Sequence, residues 1–343
     1  MTTELLNTLY ITTQGAYVHV DHETLKVEVE GQTQLQVPVH HLGAVVCFGR
    51  VMVSPAAIAR SARDGRDLLF LEESGRFQAR VVGRTTGNVL LRLAQHAAYQ
   101  DPQAILKVAS AIVAAKVQNS RLVLLREARQ TTNPEVEAAL RGAADDLATT
   151  LIALAHTSEL DAVRGREGEA AATYFRVFHH LLHVSPAEFP FNGRNRRPPR
   201  DPVNALLSFI YALFQTECVA ALEGVGLDPQ IGFLHAVRPG WPSLALDLME
   251  ELRPLVADWL ALSLINRKQV TLRDFESQGS GVFLNAEGRR TVLVAYQKRK
   301  AEEVRHPVAK RVTPLGLVPH LQARLLARHL RGDLEYYIPF VGK

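Results

Sequence analysis

The sequence predicts an α+β protein: an N-terminal strand-rich domain followed by a mainly α-helical domain. Two observations carry this. From Leu9 to about Val82 apolar and polar residues alternate in short runs, and beyond Asn88 apolar residues recur every three to four positions through most of the remaining chain. The change of period sets a domain boundary at about residue 90, giving domains 1–90 and 91–343. A third observation is size: 343 residues with 47% hydrophobic content suffice for a sizeable core and for two domains.

In the first domain YVHVD, LKVEVEG and LQVPV read as strands separated by turns at Gly15 and Gly31, and LGAVVCFG as a more buried strand. SPAAIARSARDG is a short helix begun by Ser54 and Pro55 and ended by Gly65, and DLLFLEE and FQARVVG form a final pair. A sandwich-like core follows, with no catalytic cluster in it.

The second domain reads as all helical. Asp101–Pro102 opens a helix through Arg129, and Pro134 another through about Leu154. Gly165 to Gly168 breaks the pattern before EAAATYFRVFHHLLH. SPAEFPFNGRNRRPPRDP, with five prolines, is a loop made basic by Arg194, Arg196, Arg197 and Arg200. PVNALLSFIYALFQTECVAALEG is a buried helix, apolar nearly all round. It delivers the chain to GFLHAVRPGWPSLALDLMEELRP, where Ser243 is the expected cap of a helix whose Leu248, Leu252, Leu255 and Trp259 face the core.

On that helix Asp247 sits about 100° from the apolar centre, with Glu250 roughly 60° to one side of it and Glu251 roughly 40° to the other. Helical angles alone do not decide between the two glutamates. An imidazole from His235 with two or more carboxylates suits Mg²⁺ or Mn²⁺. The competing reading is a solvated turn histidine and acids drawn to the positive end of a helix. A further carboxylate at Glu167, between Gly165 and Gly168, is available as a third ligand.

Lys and Arg number 39 against 35 Asp and Glu, a formal charge of +4 that permits nucleic acid as a partner without requiring it. The charge is clustered. Between Arg289 and Arg311 stand Lys298, Arg299, Lys300, Lys310 and four further basic residues against Glu302 and Glu303. Together with the arginine loop this run suits phosphate binding. Cys47 and Cys218 form neither a zinc site nor a disulfide framework, so a reduced cytoplasm is expected. The N-terminus has no leader pattern, and the apolar run at 205–214 is too short to span a bilayer, so no membrane is expected.

Three stretches in fixed order, REGEAAATYF, RDPVNALLSFIYALF and the segment from Gly232 to Pro254, resemble the CRISPR-associated integrase, the first-named Cas protein, which inserts spacers into a CRISPR array. The resemblance covers nearly the whole chain. It implies that Glu167, His235 and Glu250 bind the metal, with Asp247 a supporting or alternative ligand and catalytic residue. It also aligns Arg238 with a phosphate-binding position, and Asn204 and Tyr211 with recurrent residues of the buried helix. The partners it implies are double-stranded DNA, a second copy joined through the strand-rich domain, and the small second-named Cas protein. A structure-selective repair nuclease and a non-catalytic DNA-binding scaffold are the alternatives.

Overall fold

The computed structural model describes residues 6–83, 89–310 and 312–342. The N-terminal part contains β1 (Asn7–Ile11), β2 (Tyr17–Asp21), β3 (Thr24–Val29), β4 (Gln32–Pro38), β5 (Leu42–Phe48), β6 (Met52–Val53), α1 (Pro55–Arg63), β7 (Asp67–Leu71) and β8 (Phe77–Val81). They form two four-stranded sheets, ordered β1-β5-β7-β8 and β4-β3-β2-β6. In the first, β1, β5 and β7 run parallel and β8 pairs antiparallel to β7; in the second, β2, β3 and β4 form an antiparallel meander. Ser54 caps α1 as its sequence indicates, accepting the Ala57 N–H at 3.2 Å.

The unbroken apolar run of β5 has a structural reason. Successive side chains of a strand point to opposite faces. Val45 and Cys47 enter a small core with Ile11, Val18, Leu25 and Leu68, between the sheets. Val46 and Phe48, with Leu69 and Leu71, join the large core built by the helices. The first sheet is thus buried on both faces and fixes the strand-rich part against the helices.

The remainder contains α2 (Val89–Gln100), α3 (Pro102–Ala128), α4 (Pro134–Ala155), α5 (Leu160–Val177), α6 (Pro202–Val225), α7 (Ser243–Arg253), α8 (Trp259–Asn266), β9 (Phe275–Gln278), β10 (Gly281–Leu284), α9 (Ala286–Ala301), β11 (Glu303–Arg305), β12 (Val312–Pro314) and α10 (Val318–Leu330). Asp101 and Asn133 cap α3 and α4 through side-chain bonds to the first-turn N–H groups, with proline at the first helical position of each. The expected change of period around Asn88 falls at 84–88, outside the described residues.

Four expectations are corrected. The second part is not all helical, because β9–β10 and β11–β12 are short antiparallel hairpins; strands of three or four residues leave too little alternation to detect. Gly165 and Gly168 do not break a helix, since α5 runs through both. Ser243 does not cap α7; it is the first helical residue, and its hydroxyl donates to the Ala236 carbonyl at 2.9 Å. The apolar run at 205–214 lies within a 24-residue helix, and α3 and α6 are both long and apolar enough to cross a membrane, but over half of each is buried within the fold.

The helix begun at Ser243 continues to Asn266 with one irregularity, a π turn at Pro254–Asp258. Proline has no N–H to bond back into α7, and the wider turn absorbs its ring.

Candidate active site

Helix α3 packs against both α5 and α7, bringing two chain-distant acids and a lysine together. Glu167 lies on α5, Glu250 on α7, and between them stands Lys116 of α3. Its ammonium ion-pairs with Glu167 and lies 2.6 Å from Glu250 Oε2. The third component, His235, is on the loop from α6 to α7.

Asp247 builds that loop. It is fully buried. Its Oδ2 accepts the N–H groups of Phe233 (2.5 Å) and Leu234 (2.9 Å), and its Oδ1 accepts that of His235 (2.9 Å) and lies 2.7 Å from His235 Nδ1. With both oxygens already accepting backbone donors, Nδ1 is the ring nitrogen that carries the proton. Nε2 is then left with its lone pair free, 3.9 Å from Glu250 Oε1. Gly232 permits the close approach: a Cβ there would lie 2.7 Å from the Ser243 carbonyl carbon and 2.9 Å from Asp247 Oδ2. Arg164 of α5 donates to the Leu234 carbonyl at 2.7 Å, tying the loop to the helix that carries Glu167. Asp247 is therefore a positioning group with its oxygens committed, which corrects the expectation that it can serve as an alternative ligand.

The structure distinguishes the adjacent glutamates. Glu250 faces His235 and Lys116, and Arg253 one turn later reaches its Oε1 at 2.6 Å. Burial alone would raise its pKa, but the charges of Arg253 and Lys116 outweigh that and hold it down at about 2. Glu251 points the opposite way and anchors the C-terminal tail. It accepts bonds from the Tyr337 hydroxyl (2.6 Å), the Phe340 N–H (2.7 Å) and Gln322. Its burial, only partly offset by those bonds, pushes it up to about 7.

Behind Arg253 lies a second buried cluster. Tyr211 donates to Asp258 at 2.5 Å, and the guanidinium groups of Arg253 and Arg194 lie 4.7 Å and 5.1 Å from the Tyr211 ring centroid. Burial raises Asp258 to about 6. Asn204 fixes the arginine loop, accepting from Arg194 (2.6 Å) and the Asn195 N–H (3.1 Å) and donating to the Gly193 carbonyl (2.9 Å) and Asp201 (2.7 Å).

The basic residues divide into two groups. Arg196, Arg197, Arg200, Arg238, Lys298 and Lys310 are exposed, with Arg197 lying 5.1 Å from the Trp241 ring centroid. Arg194, Arg299 and Lys300 are instead spent inside the protein, which corrects their expected role on a phosphate-binding face. Arg194 binds Asn204 and Ser208. Arg299 stacks 3.8 Å over Trp259 and donates to the Leu255 carbonyl, and Lys300 pairs with Glu217 at 2.5 Å. Arg311 lies outside the described residues. A cleft of about 1090 Å³ between the β7–β8 turn and α6 reaches His235, and Arg76, Arg80, Arg196 and Arg197 line it.

Lys116, Arg253 and Asp258 were not singled out in the sequence. Lys116 had a signal: it falls on the buried stripe of α3 with Ile112 and Val113, where a charge demands a partner.

Glu167, His235 and Glu250 fit a divalent cation in donor chemistry: two carboxylates, and an imidazole whose free nitrogen is fixed by a carboxylate on the other. As the side chains stand, no three His, Cys, Asp or Glu among the described residues enclose an ion, and Lys116 is ion-paired with both Glu167 and Glu250.

The fold and site define a class: a strand-rich module fixed to a helical platform that holds one imidazole and two carboxylates beside an arginine-lined cleft. The family model for CRISPR associated protein Cas1 matches residues 9–298. The chain is 52% identical over 338 residues to a CRISPR-associated endonuclease Cas1 of Moorella thermoacetica, covering 98% of each chain. It is 50% identical over 345 residues to one of Rhodospirillum rubrum, covering 99% of each. The chain belongs to the Cas1 family. Its fold is also that of a casposase bound to integration product (TM-score 0.83, 23% identity, 97% of this chain and 93% of that one). A chain of a Cas6-RT-Cas1–Cas2 complex shares it as well (TM-score 0.82, 21% identity, 98% of this chain and 36% of that one).

Proposed function

We propose that this protein is a metal-dependent DNA endonuclease and integrase that inserts spacers into a CRISPR array by transesterification at the repeat. The observation that carries the reading is His235: its Nδ1 is committed to Asp247 and its Nε2 is turned free toward Glu250. The name endonuclease borne by relatives at 50% identity and above supports the same reaction class.

Glu167, His235 and Glu250 would hold Mg²⁺ or Mn²⁺, which when bound supplies Lewis acidity and neutralises charge on the phosphate. The chain's own groups do the rest. Asp247 selects the neutral tautomer whose Nε2 carries the lone pair, Arg253 keeps Glu250 ionised, and the exposed arginines at the cleft take up backbone phosphates. The attacking group comes from the substrate or from water. Cys47 and Cys218 are buried with their thiols pushed up, Cys47 to about 12, and the phenols of Tyr174 and Tyr211 are raised by burial. None of these is an activated nucleophile.

Double-stranded DNA, a second copy of the chain joined through the strand-rich part, and Cas2 are the partners of this reading, and the cytoplasm its location. Given a short duplex with free 3′-hydroxyls, a repeat-bearing plasmid, Mn²⁺ and Cas2, the protein joins each 3′ end to one strand of the repeat. Ends blocked with 3′-deoxynucleotides bind but are not joined. Joining of blocked ends, or a product attached to tyrosine, contradicts the mechanism. Loss of metal-dependent turnover in a folded His235→Ala variant would exclude the non-catalytic DNA-binding scaffold, and unchanged turnover would contradict the role given to His235.

A further inference from the structure

Lys116 is a lysine in the middle of a 27-residue core helix, 7% exposed, with Ile112, Val113 and Val117 around it at 0–1%. A buried ammonium persists only where it is paired, and here it is paired with the two carboxylates that the functional reading assigns to the cation. Both oxygens of Glu250 and one of Glu167 are engaged by cations. Lys116 pairs with Glu167 Oε1 and Glu250 Oε2, and Arg253 holds Glu250 Oε1.

We propose that Lys116 is a built-in counter-ion that competes with the divalent cation for Glu167 and Glu250, so that the site loads only as its ammonium swings away. The inference rests on the metal reading above. Arg253 is the poorer candidate to yield, being buried and held against the Tyr211 ring. Lysine carries its charge on a flexible four-carbon stem with three rotatable donors and can re-aim once the cation takes its place on the carboxylates. The Glu167 side of the pair is the open one, its side chain being 27% exposed against 4% for Glu250. Two consequences follow from the charges. Without metal, Lys116 relieves the repulsion between the two carboxylates and keeps them assembled. With metal, a third positive charge next to the ion opposes binding, so the lysine raises the cation concentration at which the site fills.

The test is Mn²⁺ titration by calorimetry of the wild type, Lys116→Met and Lys116→Arg, with circular dichroism to verify folding. The expected result is about tenfold tighter Mn²⁺ binding in Lys116→Met and no gain in Lys116→Arg. A second measurement needs no variant: reductive methylation of the wild type, read by peptide mass spectrometry, labels Lys116 several-fold faster in saturating Mn²⁺ while exposed Lys298 is unchanged. Equal or weaker Mn²⁺ binding in a folded Lys116→Met protein overturns the proposal, as does unchanged labelling of Lys116. If the wild type itself binds no Mn²⁺, the metal reading fails and the proposal with it.

Discussion

Replacing Asp247 by asparagine removes one acceptor oxygen from a group that serves four donors. If the new amide nitrogen takes the Oδ2 position, the N–H groups of Phe233 and Leu234 both lose their acceptor. If it takes the Oδ1 position, only the His235 N–H is orphaned, provided the imidazole changes tautomer so that the amide donates to Nδ1. The second arrangement is cheaper by one buried donor. At about 1–3 kcal/mol for each unsatisfied buried group, Asp247→Asn should cost about 1–3 kcal/mol in urea unfolding. It should also move the proton from Nδ1 to Nε2. Two-dimensional ¹⁵N NMR of the imidazole reports that exchange directly, and loss of the Nε2 lone pair should abolish Mn²⁺ binding. Unchanged stability together with an unprotonated Nε2 in the variant would refute the role given to Asp247.

Glu251 gives a pH prediction. Its folded pKa of about 7 lies above its ordinary value near 4.5, so its contribution is full below pH 4.5 and is lost as the pH rises through 7. Relative to Glu251→Gln, the wild type should lose about 3 kcal/mol over that window; denaturation curves whose difference is flat with pH would contradict this. Alanine at Arg196, Arg197 or Arg200 should lower the salt dependence of duplex DNA binding by about 0.9 per lost phosphate contact, equally for all sequences. Alanine at Lys300 should instead lower the melting temperature, because Glu217 loses its partner; an unaltered melting temperature would return Lys300 to the DNA-binding face. Light scattering should give twice the chain mass of 37.9 kDa at micromolar concentration, and a strictly monomeric mass would exclude the dimer.

Features set by local chemistry were legible in the sequence. Proline after Ser54, Asp101 and Asn133 marked three helix starts that the structure places within a residue, because proline and capping side chains act on their immediate neighbours. The two faces of β5 could not be assigned, since its apolar run is the same whether one sheet or a helix layer covers each side. Gly165 and Gly168 suggested a break by propensity, and packing of α5 against α3 and α4 overrode it. In the site, residue types made Glu167 and His235 available and the family resemblance chose Glu250 over Glu251, which helical angles left open; the physical difference between the two glutamates lies in their tertiary partners, Lys116 and His235 on one side, Tyr337 and Phe340 on the other. Lys116 is 51 positions from Glu167, and no spacing rule joins them; only the packing of α3 does. The interior use of Arg299 and Lys300 was hidden for the same reason, since a run of basic residues does not reveal which of them finds an acid or an indole.

The central claim is that Glu167, His235 and Glu250 form one metal site, and an anomalous difference map from crystals soaked in MnCl₂ tests it most directly. The account predicts one peak for each chain, within about 2.0–2.3 Å of His235 Nε2 and of an oxygen from each of Glu167 and Glu250, with Asp247 still bonded to Nδ1 and not to the ion. A map from a fully loaded crystal with no peak at these residues, or with manganese held elsewhere on the chain, would contradict it.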